Sequence, residues 1–462
     1  MAIQVVILAA GRGQRMCSKL PKVLHLLAGK PLLQYVLEVA EKLSPAKKPI
    51  VVLGHQAPLI RKTFSHLPIH FVEQSEQLGT GHAVLQAMPH IEPTDQVLIL
   101  CGDVPLISLQ SLQRLTQTAD DALHMLTAHL ENPHGYGRIK RNDDHHIVRI
   151  IEEKDASVEE KKITEVNPGI YCLSARLLNR WLPNIKTMNA QNEFYLTDII
   201  NFAHQDNVTI QSHDVHCAKE ILGVNDRAQL AQLERFLQLR LVKKLMAQGV
   251  SFADPARVDI RGEVIASIDV TVDVNVIFEG RVVLGQGCHI GPHSLLRNTI
   301  LGEGVEIKAN SVLDGAEVAD HCTIGPFARL RPGTVLASHV HIGNFVEVKN
   351  SQVGMQSKIN HLSYVGDAEI GQRVNVGAGT ITCNYDGMNK HKTIIGDDTF
   401  IGSDTQLVAP VTIGTGATIG AGSTITKDVA ADQLTITHRI EQRTIKNWRR
   451  PDKKERGAVT KA

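Results

Sequence analysis

From Ile395 onward the chain repeats every six residues, and no other feature limits its fold so tightly. The units IGDDTF, IGSDTQ, LVAPVT, IGTGAT, IGAGST and ITKDVA place Ile395, Ile401, Leu407, Ile413, Ile419 and Ile425 at one constant spacing. An α-helix repeats its apolar face every 3.6 residues and a strand every two, so neither explains that period. A fixed hexapeptide period is the signature of a parallel β-helix, in which every sixth residue points inward and each coil buries what its neighbour cannot bury alone. Earlier segments keep the period at Leu284 and Ile290, then Leu301, Ile307 and Leu313, then Ile324, Leu330, Leu336, Ile342 and Val348. The fifth position of a unit is small (Ala328, Thr334, Ser423), because three flat faces meeting at tight corners leave little interior room. Cys288 and Cys322 fall in that slot and read as small buried residues. With three units per coil and strands about 4.8 Å apart, Phe252 to Ala430 should form roughly ten coils over about 50 Å. Between Gly377 and Ile395 the period breaks, so Thr382 to Thr393 should leave the prism as a loop.

The half before the repeat has another rhythm. Val5-Val6-Ile7-Leu8, Ile50-Val51-Val52-Leu53 and Val97-Leu98-Ile99-Leu100 are short aliphatic runs separated by longer amphipathic stretches, the alternation of a parallel α/β sheet. From Asn225, which reads as an N-cap, Leu230, Leu233, Leu237, Leu241 and Leu245 recur at helical spacing until Gly249, giving one linking helix. The expected domains are therefore 1–225 (α/β), 226–249 (linker helix), 250–437 (β-helix) and a basic tail, 438–462, with nine Lys and Arg against three acids. Composition narrows the partners. The net charge of +1 supplies no field for a polyanion, so nucleic acid is not expected. Seven cysteines with no CxxC spacing read as reduced thiols. No apolar run approaches the roughly 18 residues of a membrane span, and the first strand-like run starts at Ile3 without a basic n-region; a cytoplasmic protein away from membranes is expected.

Two motifs in the first half point to phosphate chemistry. Leu8-Ala9-Ala10-Gly11-Arg12-Gly13-Gln14-Arg15-Met16, followed by Pro21-Lys22, puts a glycine-rich turn between a strand and an apparent helix, a geometry that cradles phosphates through backbone N–H groups. A dinucleotide fingerprint would want glycine where Met16 stands and an acid where Gly54-His55-Gln56 stands, and a Walker loop would want Gly-Lys-Ser/Thr. What remains is a nucleotide site in which Arg15 and Lys22 screen phosphate charge, or else two ordinary surface cations. Gly102-Asp103 ends the strand Val97 to Cys101, where open α/β sheets bind ligands and where a carboxylate can hold Mg²⁺; a turn or cap role is the competing reading.

These motifs, with QLGTGHA at 77–83, CGDVPLI at 101–107, GYGRI at 135–139, EEKD at 152–155, NPGIY at 167–171 and GVN at 223–225, resemble in order the bifunctional N-acetylglucosamine-1-phosphate uridyltransferase and glucosamine-1-phosphate acetyltransferase family. The resemblance implies a Rossmann-like nucleotidyltransferase domain, a linking helix and a left-handed parallel β-helix. It implies that Leu8, Ala9, Ala10, Gly11, Arg15, Lys22, Gln74, Gly79, Thr80, Cys101, Gly102, Asp103, Gly137, Glu152, Asn167 and Asn225 line a uridine-nucleotide and amino-sugar site, with Mg²⁺ on Asp103 and Asn225 and UTP as substrate. Where the family pattern has a tyrosine before Gly102, this chain has Cys101. A homotrimer is implied as well, since a three-sided prism packs readily about a threefold axis.

For the β-helix, the resemblance assigns His361 as general base, Arg331, Lys349, Tyr364 and Asn375 to the sugar phosphate, and Ala378, Asn384, Tyr385, Ser403, Ala421 and Arg439 to acetyl-coenzyme A, with His438 competing for the place of Arg439. Independently of any family, Arg331 and Lys349 lie eighteen residues apart, one full coil, so both can grip one phosphate. A rival reading is zinc held between His321 and His339, which should stack about 5 Å apart, although Ser357 supplies no third ligand. The alternative function is a one-headed nucleotidyltransferase with a purely structural β-helix, which would need neither His361 nor the Asn384-Tyr385 loop.

Overall fold

A computed structural model of the protein describes residues 2–117, 121–215, 217–437, 444 and 446. By compactness the chain divides into 1–298 and 299–462. In the first unit the aliphatic runs become the strands Ile3–Ala9, Ile50–Leu53, His70–Glu73 and Gln96–Cys101, which pair in parallel. Their side chains alternate between two helix-covered faces. Val5, Ile7 and Leu98 pack with Leu33 and Phe64, while Val6 and Ile99 pack with Val84 and Trp181. Burial on both sides explains why these strands read as unbroken aliphatic runs.

The sheet is mixed and not wholly parallel as expected. Tyr171–Ser174 inserts antiparallel between Gln96–Cys101 and Leu123–His129, and Glu165–Asn167, Gly137–Arg141 and Ile147–Ile151 extend the sheet as antiparallel ribbons. The linking helix runs Arg227–Ala247 with Asp226 as its N-cap, the side chain accepting from Gln229 N–H; the expected cap, Asn225, lies one residue outside. Gly249, at φ +97, stops it. The helix is sewn to the first long β-helix strand, Val258–Ala266, by the buried amide of Gln238, which donates to Ile260 O (2.8 Å) and accepts from Ile260 N–H (2.7 Å). No helix among the described residues is long and apolar enough to cross a membrane.

In the second unit one face of a parallel β-helix runs through Thr323–Ile324, His341–Asn344, Lys358–His361, Asn375–Val376, Phe400–Ile401 and Thr418–Ile419. The sixth-residue column Ile324, Leu330, Leu336, Ile342, Val348, Ile401, Leu407, Ile413 and Ile419 is buried, as are the small fifth positions Ala328, Thr334, Cys322 and Ser423; in the first unit Cys288 is buried likewise. Coils are not all alike. Thr323 pairs with His341 after eighteen residues, His341 with Lys358 after seventeen, and Asn375 with Phe400 after twenty-five, the last spanning the break in the repeat. That excursion is shorter than its sequence suggested. Thr382 and Thr393 keep buried core positions in the strands Ile381–Cys383 and Thr393–Ile395, leaving 384–392 as the loop.

Candidate functional site

The first centre lies where the sheet reverses its order. From Ile3–Ala9 the chain passes to Ile50–Leu53 on one side and returns as Gln96–Cys101 on the other, and the crevice outside the carboxyl ends of strands so arranged is where open α/β sheets take ligands. Leu8, Ala9, Ala10 and Gly11 leave one strand there, and Cys101, Gly102 and Asp103 leave the other, tied by Gly102 N–H donating to Leu8 O (2.9 Å). Gly13, at φ +60, lets the turn fold against Lys22; a Cβ there would lie 2.8 Å from that of Lys22. Beyond it stands a single 3-10 turn, Gln14–Met16, in place of the expected helix, with Arg15 exposed on it. An anion at this loop would therefore meet backbone amides and cations and gain nothing from a helix dipole.

Lys22 Nζ donates to Asp103 Oδ2 and to Asn225 Oδ1 (3.3 Å). The segment bearing Asn225 is fixed by Val224 N–H donating to Asp103 O (3.0 Å) and by Gly223 N–H donating to the Tyr136 hydroxyl (3.2 Å). Asp103 caps no helix, because Ser108 caps Leu109–Thr116. A carboxylate and an amide oxygen aimed at one cationic point are hard donors of the kind Mg²⁺ takes, so the residues fit that ion.

Nearby, the Thr197 hydroxyl donates to Glu152 Oε1 (3.2 Å), and burial pushes the Glu152 carboxyl above the usual range. Gly137 offers Glu152 bare backbone, its hydrogen standing where a Cβ would come 3.6 Å from Oε2. Asn167 Oδ1 accepts from Gly169 N–H (3.0 Å), and the Cys101 thiol faces Pro168 O (3.8 Å) and Gly169 O (3.7 Å); burial pushes that thiol up to about 12. Gln74 Nε2 donates to Gly79 O (3.0 Å), and Thr80 Oγ1 accepts from Leu196 N–H (3.0 Å), which packs the Gly79 turn against the Phe194 backbone. Sequence alone does not single out Tyr136 or Thr197. Tyr136 stood inside a quoted motif, but nothing in its spacing tells that its hydroxyl reaches Gly223.

The second centre follows one corner of the β-helix. Asn344 pairs with His361, and the pairings Ile359 with Val376, Val376 with Ile401 and Ile401 with Ile419 continue that column, two residues on, through Ala378, Ser403 and Ala421. Four sequence-derived candidates thus form one line, all at least partly exposed. Asn344 Oδ1 lies 2.8 Å from His361 Nδ1, so Nδ1–H donates and the Nε2 lone pair is left to take a proton. On the adjoining face Leu330 pairs with Val348, which stacks Arg331 and Lys349 one coil apart, and Glu347 pairs with Tyr364. Arg331 donates to Glu347 Oε1 (2.8 Å). The Lys349 ammonium beside Lys390 holds the latter below the usual lysine range, a like-charge pair that an anion would relieve.

Asn384 is buried and donates to Asp367 Oδ2 (2.5 Å) and the Tyr364 hydroxyl (3.5 Å), whereas the Tyr385 ring is exposed and its hydroxyl donates to Gly387 O (2.6 Å). Asn375 stacks on Lys358 and lies on another face from Tyr364. Arg439 and His438 lie outside the described residues, as does nearly all of the basic tail. No sequence motif singles out Glu347, Asp367 or Lys390, although the first two stand one coil from Tyr364 and Asn384 and so follow from the repeat. His321 and His339 do stack, with ring centroids 5.2 Å apart, but the seventeen-residue coil puts Gln356, and not Ser357, next in that corner. Among the described residues no group of three or more His, Cys, Asp or Glu could hold a metal ion.

Residues 5–186 match the MobA-like NTP transferase domain, 260–365 the GMPPB C-terminal domain, and 392–427 the bacterial transferase hexapeptide (six repeats). The chain is 54% identical to the Bifunctional protein GlmU of Legionella pneumophila (strain Lens), covering 99% of this chain and 100% of that protein. It is 51% identical to the protein of the same name from Marinobacter nauticus (98% and 99% covered) and 52% identical to that from Acinetobacter baumannii (strain AYE; 98% and 99%).

Proposed function

Because this chain belongs to the bifunctional GlmU family, and so acetylates glucosamine-1-phosphate and transfers uridylyl to N-acetylglucosamine-1-phosphate, we propose that the two reactions run at the two centres described above. At the β-helix corner, His361 Nε2 takes a proton from the glucosamine-1-phosphate amine as its nitrogen attacks the acetyl carbonyl carbon. The C–S bond breaks and coenzyme A leaves. Arg331, Lys349 and Lys390 hold the sugar phosphate, with Tyr364 and Asn375 on the sugar. Acetyl-coenzyme A runs along Ala378, Ser403 and Ala421, past Asn384 and Tyr385, with Arg439 also assigned to it. The observation that carries this reading is the column itself. Three small, at least partly exposed residues continuing from an oriented imidazole leave room for a thin acyl carrier along that corner, and a purely structural prism has no need of the imidazole.

In the N-terminal domain, assigned to 1–225, a phosphate oxygen of the sugar attacks the α-phosphorus of UTP and pyrophosphate leaves, with no protein nucleophile. Lys22, Arg15 and the backbone of Leu8 to Gly11 hold the nucleotide phosphates, Gln74, Gly79 and Thr80 shape the base end, and Gly137, Glu152 and Asn167 meet the amino sugar. Asp103 and Asn225 would hold Mg²⁺, which supplies charge neutralisation at the reacting phosphates. The helix, 226–249, joins this domain to the β-helix, 250–437. Asn375 on a different face from Tyr364 supports a homotrimer in which a neighbouring copy completes the acetyl site, and the thiol pattern supports a cytoplasmic location. The test follows free thiol from glucosamine-1-phosphate with acetyl-coenzyme A, and, separately, pyrophosphate from supplied N-acetylglucosamine-1-phosphate with UTP and Mg²⁺. Both should appear, and pyrophosphate without thiol would leave the β-helix a structural arm.

A further inference from the structure

We propose that His391 is a positioning residue for acetyl transfer, acting through Asp386 on the loop that carries Asn384 and Tyr385; this rests on the reading of the β-helix corner given above. The loop 384–392 is a small hairpin. Tyr385 bridges Lys390 in antiparallel fashion, His391 N–H donates to Asn384 O (2.8 Å), and Asp386 N–H donates to Asn389 O (3.2 Å). Along its returning limb, alternate side chains face opposite ways. Lys390 turns to Lys349, and Lys392 pairs with Glu369 on the β-helix body. His391, between them, points back into its own loop, where Nε2 donates to Asp386 Oδ2 (2.8 Å).

Asp386 Oδ1 meanwhile accepts from Met388 N–H (2.8 Å) and Asn389 N–H (2.6 Å), so one carboxylate gathers the hairpin tip, and His391 holds its second oxygen. The bonds from Asn389 N–H, His391 and Met388 N–H hold that carboxyl far below the usual range. Fixing Asp386 fixes the peptide that joins it to Tyr385, and the Tyr385 hydroxyl closes the same tip on Gly387 O. Asn384, by contrast, is anchored independently by Asp367 and Tyr364. The clip should therefore govern how the donor meets Tyr385 while sparing the proton transfer at His361. Because the Nε2–H tautomer of the neutral ring donates to a carboxylate as the imidazolium does, the clip needs no protonation.

The experiment uses the full-length chain and compares His391→Ala, His391→Gln, Asp386→Ala and the double variant His391→Ala with Asp386→Ala. His391→Ala should raise KM for acetyl-coenzyme A about five- to tenfold, the net worth of one ordinary hydrogen bond, with the rate of pyrophosphate release from UTP and supplied N-acetylglucosamine-1-phosphate unchanged. His391→Gln, which keeps a donor at that reach, should recover most of the loss, and the double variant should be no worse than Asp386→Ala alone. Parental KM in His391→Ala, failure of Gln to rescue, or additive losses in the double variant would each overturn the clip. His361→Ala measured alongside separates the two ideas: retained acetylation there undoes the reading of the corner, whereas its loss together with a normal His391→Ala undoes the clip alone.

Discussion

The two centres are assembled by opposite means. In the α/β domain, Lys22 meets Asp103 and Asn225 across 81 and 203 residues of chain, and only the strand order brings them together. In the β-helix, Asn344, His361, Ala378, Ser403 and Ala421 meet because each stands one coil from the next. A repeat converts sequence distance into spatial position, so which of its residues stand together can be found by counting. An open sheet makes no such conversion, and its site has to be inferred from the chemistry of single motifs. The independence of the two constructions is what mutations should probe.

The largest effect expected is from Asp103→Ala. It removes the carboxylate that meets Lys22, so metal-dependent pyrophosphate release should fall below detection while thiol release from acetyl-coenzyme A stays near normal. Loss of both activities in a protein that still folds would break the comparison, since the two centres share no residue.

His361→Ala is the mirror experiment. Removing a positioned base costs roughly a hundredfold to ten-thousandfold, and the loss should appear in thiol release alone, with melting behaviour and uridylyl transfer to supplied N-acetylglucosamine-1-phosphate retained. Raising the pH should recover part of the rate, because more of the substrate amine is then already neutral. A rate within a few-fold of the parent would remove His361 from the chemistry, and the structural-arm alternative would regain ground.

What the sequence made legible divides along the same line. The buried column, the small fifth positions and the stacking of Arg331 on Lys349 follow from the period alone. Counting fails only where the period itself fails: the seventeen-residue coil that replaces Ser357 by Gln356, and the excursion, where Thr382 and Thr393 stay in the core. In the first half the aliphatic runs located the strands, but nothing local announced that Tyr171–Ser174 would enter the sheet antiparallel, or that the glycine turn would lead into a 3-10 turn and no helix. Asp226 in place of Asn225 as cap is a one-residue shift with a chemical consequence, since it leaves the Asn225 side chain free to face Lys22.

A smaller effect separates the centres by burial. Glu152 is partly buried and its carboxyl is raised, first by lost solvation, whereas Glu347 and Asp367 sit against cations and amides at the surface. The native state holds the Glu152 proton more tightly than the unfolded chain does. Its contribution to stability is therefore present below the ordinary glutamate range and lost as pH rises through the native value. Glu152→Gln has no such dependence and should melt above the parent at about pH 8, with the gap closing by about pH 4, while pyrophosphate release falls and thiol release does not. An equal gap at both pH values would mean that packing, and not ionisation, sets the difference.

The smallest effect uses the thiols that flank each centre. Cys101 is held at about 12 by burial and faces carbonyls, so a thiol reagent should leave it alone. Cys383 ends the strand Ile381–Cys383 directly before Asn384; Thr382 points into the core, so Cys383 points out, half-buried, its thiol raised by burial but still reachable. In a Cys17→Ser background, which removes the exposed thiol beside the phosphate turn, labelling of Cys383 should slow acetyl transfer a few-fold, and saturating acetyl-coenzyme A should protect it. Pyrophosphate release should not change. Cys288 and Cys322 fill inward slots, and Cys322 is pushed up to about 11, so both should resist the reagent in the native protein. Fast labelling of those two with Cys383 inert would mean that the coil register is displaced.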